Sequence, residues 1–130
     1  MSTAYITDDR PLPWKYAYLE PAVPTGKLLI VEHISGWVVV RQGYVVDLMQ
    51  AVGYYGLDAS GRTATWEVFL PMQFASQPFN FGGQLGVARR HQFGAPCRLY
   101  VSAGERIAVT AVASYVGELH ATAIGHLVDA

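Results

Sequence analysis

Two histidines six residues apart, His120 and His126, lie in the apolar C-terminal segment HATAIGHLVDA. In a strand they face the same side of the sheet, because side chains alternate with a period of two residues. At about 3.3 Å per residue they are roughly 20 Å apart, whereas each histidine nitrogen bound to zinc lies about 2.1 Å from the ion. One ion therefore cannot bind both.

The two other histidines do not complete a metal site in the sequence. His33 and His91 could each join one of the first two across strands, but the chain has no HxH pair. Cupin-type chemistry requires such a pair together with a carboxylate. We expect no metal and no other cofactor, and histidines that form hydrogen bonds or lie at a subunit contact.

Nucleophilic catalysis has no supporting motif. The single cysteine, Cys97, follows a proline and begins an apolar segment, where a thiol is usually buried and inert. The chain has no GxSxG elbow, and its carboxylates are scattered without an evident acid and base pair. We expect a protein that is not an enzyme.

Arginines are concentrated in the segment ARRHQFGAPCR. Arg89, Arg90 and Arg98 gather with His91 around a predicted hairpin turn at residues 94–96. Such a cluster suits a carboxylate or phosphate group, and it equally suits pairing with acidic residues within a sheet or between subunits. We favour the pairing and predict that these arginines lie at an interface.

The aromatic residues suit two kinds of contact. Flat rings with a polar edge stack on sugars and also fill protein interfaces. Two tyrosines occupy a predicted hairpin tip, and one tryptophan follows a predicted turn. The candidates for sugar binding are Trp37, Tyr54 and Tyr55.

The first 26 residues differ in composition from the rest of the chain. They contain four of the seven prolines, which excludes a helix or a central strand. Their aromatic residues are of the kind that disordered tails lack. In an extended segment Trp14, Tyr16 and Tyr18 project to one side. We predict an ordered extended arm over residues 1–26 that contacts a neighbouring subunit, followed by a β-sandwich domain over residues 27–130.

From Lys27 onward, short β-branched segments alternate with turn sequences such as SG, QG, DASG, FGAP and SAGE. Residues 44–55 also fit a helical spacing, but their glycines and β-branched start favour a strand. No amphipathic helix is available for a parallel crossover. The chain is therefore predicted to be all-β, an antiparallel jelly-roll β-sandwich. Immunoglobulin-like topology is the alternative, and the cysteine pair of that fold is missing.

The composition has too few charges for the surface of a lone domain. Hydrophobic residues make up 52% of the chain and charged residues 15%, where about 25% is typical. A single domain of 130 residues has a large surface to cover with polar groups. Part of that surface is therefore expected to be hidden against another subunit.

Charge and hydropathy exclude several partners. A net charge of −1 provides no field that attracts nucleic acid. No apolar segment approaches the roughly 18 to 20 residues of a membrane-spanning helix. The start MSTAYITDDRPLP has two aspartates where a signal peptide has a basic and apolar sequence. We expect a cytoplasmic or virion-associated protein.

The last third of the chain resembles one family. CRLYVSAGERIAVTAV followed by HATAIGHLVDA is similar to the closing strand pair of the trimeric jelly-roll modules of the complement globular-head and tumour-necrosis-factor-like type. In that family a glycine–acid turn, here Gly104 and Glu105, precedes an alternating strand and a last strand rich in small residues. Ile124 stands where the family has an aromatic residue. The resemblance implies a jelly roll and a trimer, and no binding residues.

Two functions follow as hypotheses. The first is a non-enzymatic structural module that forms a homo-oligomer, with a trimer as the expected form, or that decorates a larger particle such as a phage virion. The alternative is a carbohydrate-binding module that uses surface aromatic residues.

Overall fold

The computed structural model describes residues 3–8, 14–19, 22–55, 65–83 and 85–130. Ten strands lie in these ranges, and none of the described residues is helical. No helix in this part of the chain is long and apolar enough to cross a membrane. The strands are β1 (Thr3–Asp8), β2 (Trp14–Leu19), β3 (Lys27–Arg41), β4 (Val46–Tyr54), β5 (Trp66–Phe69), β6 (Met72–Ala75), β7 (Phe79–Gly82), β8 (Gly86–Val101), β9 (Arg106–Ala113) and β10 (Val116–Asp129).

The strands form two antiparallel sheets. The six-stranded sheet has the order β1-β10-β3-β8-β6, with β7 also paired to β8, and the four-stranded sheet has the order β2-β9-β4-β5. Strands β1 to β4 alternate between the two sheets along the chain, and so do β8, β9 and β10. The predicted antiparallel jelly-roll β-sandwich is confirmed.

The core lies between the sheets and follows the alternation of side chains along each strand. In β9, Ile107 and Val109 point into it, and in β10, Leu119 and Ala121 do the same. These four side chains are at most 4% exposed. The period of two residues that the sequence shows therefore sets which face of each sheet is buried.

Two glycine-containing segments predicted as turns lie inside long strands. The SG pair belongs to the 15-residue strand β3, and FGAP belongs to the 16-residue strand β8. A Cβ atom on Gly36 would lie 1.9 Å from the carbonyl oxygen of His120 and 2.8 Å from the Phe93 ring. Gly36 is thus needed for close packing between strands. The predicted hairpin turn at residues 94–96 is wrong, because β8 continues through these residues and Gly94 packs against Ser35 of β3.

The first 26 residues include two strands of the sandwich. β1 is an edge strand that pairs with β10, and β2 is an edge strand that pairs with β9. The segment is therefore extended, as predicted, but the described part of it is built into the two sheets of its own chain.

Candidate functional site

The outward side of the six-stranded sheet is the candidate site, and we call it the outer face. In β3, Val38 and Val40 pack in the main core, so Trp37 and Val39 point to the opposite side. Residues that are paired across strands share a face, and their side chains lie next to one another. The register therefore continues the outer face onto β10 and β8.

Trp37 is fixed at the middle of this face by its neighbours on two strands. The His120 ring of β10 stacks on the indole with centroids 4.2 Å apart and an angle of 13° between the planes. The Arg90 guanidinium of β8 lies 5.0 Å from the indole centroid. The indole N–H donates a hydrogen bond to the Glu118 carboxylate. A ring held in this way is rigid and already in contact with neighbours on both sides.

One end of the outer face is covered by the chain itself. Val39 and Ala88 have no exposed surface, although both point away from the main core. They pack under Leu85, Phe79 and Phe81, which belong to β7 and the turn before β8. The chain thus places a second, small hydrophobic cluster on the outward side of its own sheet.

The other end of the outer face is apolar, and no residue in the described ranges covers it in this way. Ile124 and Tyr100 are each 52% exposed, and their strand neighbours are partly exposed aliphatic residues. We call this group the apolar patch. Its members are Leu28, Ile30, Tyr100, Ile124 and Val128. His126, the cross-strand partner of Ile30, lies between Ile124 and Val128 on this face. Apolar side chains on a central strand and on both its neighbours are nevertheless unusual for a surface in contact with water.

Ionisable groups lie within and around the apolar patch. His126 Nδ1 lies 3.2 Å from a Glu32 carboxylate oxygen, and Arg98 Nε donates to the Tyr100 hydroxyl at 2.8 Å. Lys27 and Asp129 form an ion pair at the strand ends. The carboxylates of Glu32 and Asp129 and the cations of Lys27 and Arg98 therefore lie around the patch together with His126, and these four formal charges cancel.

The aromatic residues of the first 26 positions pack on their own chain. The Tyr16 and Tyr18 rings stack with centroids 6.0 Å apart, and Tyr18 meets the Tyr54 ring edge-on at 6.0 Å. This group covers Val52 and Ala108 on the outward side of the four-stranded sheet. The side chain of Trp14, which was predicted to belong to the same interface, lies outside the described part of the structure.

The three candidate sugar-binding residues do not come together. Trp37 is enclosed by His120 and Arg90 on the outer face. Tyr54 is 1% exposed, whereas Tyr55, the next residue, is 49% exposed. Tyr55 is therefore the one ring of the three that is open to solvent.

The predicted arginine cluster does not form. β8 runs without a turn from Gly86 to Val101, so Arg89 and Arg90 point to opposite sides of the sheet. Arg98, eight residues further along, lies about 26 Å away at the spacing of a strand. Arg90 belongs to the outer face with Trp37, and Arg98 belongs to the border of the apolar patch.

Arg89 instead faces a cleft that the sequence did not predict. The cleft has a volume of about 400 Å³, and Arg41, Tyr44 and His91 line it together with Arg89. Burial, and then the charge of Arg89, lower the pKa of His91 below its ordinary value. The sequence of residues 41–44 contains no binding motif. The cleft arises from the pairing of β3 with β8, which the sequence does not display.

Cys97 and Glu105 make contacts within their own chain. Cys97 Sγ lies 3.8 Å from the Val31 carbonyl oxygen, and burial raises the pKa of its thiol. Glu105 is buried and accepts hydrogen bonds from the Ser102 backbone N–H at 3.0 Å and from the Thr65 hydroxyl. Within the described ranges, no three His, Cys, Asp or Glu side chains lie close enough together to hold a metal ion.

Comparison with known protein families, curated proteins and solved structures finds no match to this chain. The resemblance of the C-terminal strands to trimeric jelly rolls therefore stays a prediction.

Proposed function

We propose that this protein is a non-enzymatic assembly module that forms a homo-oligomer through the apolar patch. A trimer is the form expected from the resemblance of the C-terminal strands, and a larger particle such as a phage virion is a setting that fits such a module. The observation that carries the proposal is the uncovered apolar end of the outer face, with Ile124 and Tyr100 each 52% exposed.

The difference between the two ends of the outer face supports the binding of a partner to the apolar patch. At one end, apolar side chains on the outward side lie under β7 and Leu85 of the same chain. At the other end, side chains of similar character have no cover from any described residue. Removing such a surface from water is favourable by about 25 cal/mol for each Å² of apolar area.

The charges around the patch support a second copy of the chain as that occupant. A different protein that carries a net charge on its contact surface would require the opposite net charge around this patch. The formal charges of the two carboxylates and of Lys27 and Arg98 cancel, so two copies can approach without net repulsion. A standard interface buries about 800 Å² on each partner, roughly an eighth of the 6765 Å² surface of the chain.

Carbohydrate binding is the second candidate and has less support. It requires open aromatic faces, and of Trp37, Tyr54 and Tyr55 the last is the exposed ring. A single exposed tyrosine is common on protein surfaces and indicates no particular ligand.

A matched pair of variants tests the proposal. Ile124→Glu places a charge in the apolar patch, and Phe69→Glu places the same charge on the four-stranded sheet at a residue that is 67% exposed. We expect light scattering at micromolar concentration to give the mass of one chain, 14.2 kDa, for Ile124→Glu and a multiple of it for Phe69→Glu. Thermal unfolding of both variants checks that each is folded. An unchanged mass for folded Ile124→Glu would contradict the proposal.

A further inference from the structure

The cleft beside Arg89 is a preformed feature of the fold and lies apart from the apolar patch. The turn after β3 forms one wall, and two backbone hydrogen bonds hold this turn. The Gln42 N–H donates to the Val87 carbonyl at 2.9 Å, and the Tyr44 N–H donates to the Arg41 carbonyl at 3.1 Å. The cleft volume of about 400 Å³ lies within the range of small-molecule sites.

The lining of the cleft is rich in hydrogen-bond donors. Arg41, Arg89 and His91 line it, and among the described residues no aspartate or glutamate does. Arg89 is exposed, and no hydrogen bond or ion pair joins it to any residue in the described ranges. Its five N–H donors and its charge are therefore available to a ligand, and the planar guanidinium matches the two oxygens of a carboxylate.

An aromatic wall faces these donors. The Tyr44 ring is 42% exposed and lies 4.7 Å from the Tyr115 ring. The Arg41 guanidinium lies 4.1 Å from the Tyr115 centroid, and its Nε donates to the Leu85 carbonyl at 3.3 Å. Tyr115 has a positive φ of 54°, which is uncommon for a residue other than glycine. The wall is thus held by contacts with several parts of the chain, and the open Tyr44 ring can pack against an uncharged molecular surface.

We propose that this cleft binds a small organic acid, with the carboxylate paired to Arg89 and the uncharged body of the molecule against the Tyr44 ring. The volume suits a ligand of the size of one sugar ring. This binding activity is independent of the proposed assembly, because none of the cleft residues belongs to the apolar patch.

The charge of the lining favours a singly charged group over a doubly charged one. The pKa of His91 is lowered by burial and by Arg89, so its ring is neutral near pH 7 and supplies a hydrogen bond without a charge. The Nε of Arg41 is already engaged with the Leu85 carbonyl. A carboxylate therefore matches the site better than a phosphate dianion.

The ligand can be a free organic acid or the acidic terminal sugar of a glycan, and the probes separate the two sources. Titration of the isotope-labelled protein with glucuronate, acetate, glucose and phosphate, followed by NMR at constant ionic strength, gives a dissociation constant for each. We expect glucuronate and acetate to shift the resonances of Arg89 and His91, and glucose to leave them unchanged. Glucuronate should bind more tightly than acetate because its ring contacts Tyr44, and equal affinities would contradict that contact. Retained affinity for the methyl glycoside of glucuronate would indicate the terminal sugar of a glycan, whereas loss of affinity for the glycoside would indicate a free acid.

Adjacent arginines provide the matched control. Arg89→Gln and Arg90→Gln remove the same charge from neighbouring positions on opposite sides of β8. We expect Arg89→Gln to weaken glucuronate binding about tenfold or more, as for loss of a charged hydrogen bond, and Arg90→Gln to change it by less than about twofold. Equal effects of the two variants, absence of binding by both carboxylates, or tighter binding of phosphate than of glucuronate would each overturn the proposal.

Discussion

The Phe93 ring lies against Gly36, its partner across the β3–β8 ladder, on the core side of the six-stranded sheet. Phe93 is 1% exposed and belongs to the main core. The absence of a side chain at Gly36 lets the ring and the neighbouring strand β10 approach the β3 backbone. This contact joins the three central strands of the sheet at the level of Trp37.

Replacing Gly36 with alanine should destabilise the fold strongly. The added methyl would lie 1.9 Å from the His120 carbonyl oxygen, an atom of the backbone that cannot move aside without disturbing the ladder. Overpacking typically costs about 1–3 kcal/mol, and we expect Gly36→Ala to reach or exceed about 3 kcal/mol. Chemical denaturation measures the free energy of unfolding.

Gly94→Ala is the control for this prediction. Its Cβ would lie 3.1 Å from the Ser35 Cβ atom, so a shift of a few tenths of an ångström accommodates it. We expect a clearly smaller loss of stability than for Gly36→Ala. Similar losses for the two variants would show that general glycine replacement, and not the close approach at Gly36, determines the effect.

His91 should titrate below the ordinary histidine value of 6.5, because burial and the Arg89 charge both disfavour the imidazolium. Between the two pKa values the unfolded chain binds more protons than the folded chain. The free energy of unfolding therefore rises with pH through this window, and the contribution of His91 is lost as the pH falls below 6.5. NMR titration of the histidine ring resonances measures the folded pKa.

Arg89→Gln should raise the pKa of His91 part of the way toward 6.5, since burial remains the larger cause of the shift. A pKa of His91 at or above 6.5 in the unmodified protein, or no response to Arg89→Gln, would show that the cleft does not have the geometry described.

Cys97 should react slowly with thiol reagents in the folded protein. Burial raises the pKa of its thiol, so the reactive thiolate is scarce near neutral pH, and the sulfur lies 3.8 Å from the Val31 carbonyl oxygen. We expect a disulfide reagent such as dithionitrobenzoate to react at least about tenfold faster with the chain in denaturant than with the native protein. Equal rates would place Cys97 at an accessible and activated position.

The alternation of apolar and polar side chains along single strands was sufficient to predict much of the fold. Val109 and Ala111, like Leu119 and Ala121, show the period of two residues in the sequence and pack in the core as that period requires. Residues 44–55 were predicted as a strand against a helical alternative, and β4 confirms the strand. These predictions depend on neighbours along the chain, which the sequence displays directly.

Features that depend on partners across strands could not be predicted. A glycine in a turn and a glycine under an aromatic ring look alike in sequence, so Gly36 and Gly94 were assigned to turns. The stack of Trp37 on His120 joins residues 83 positions apart, through the register of β3 with β10. The cleft at Arg89 depends in the same way on the register of β3 with β8.

The molar mass of the unmodified chain in solution tests the central claim most directly. Sedimentation velocity over a dilution series from high to low micromolar concentration determines it without any substitution. The apolar patch predicts an integer multiple of 14.2 kDa that persists at micromolar concentration, with three chains as the expected number. A single folded species of 14.2 kDa at every concentration would contradict the claim that copies of this chain cover Ile124 and Tyr100.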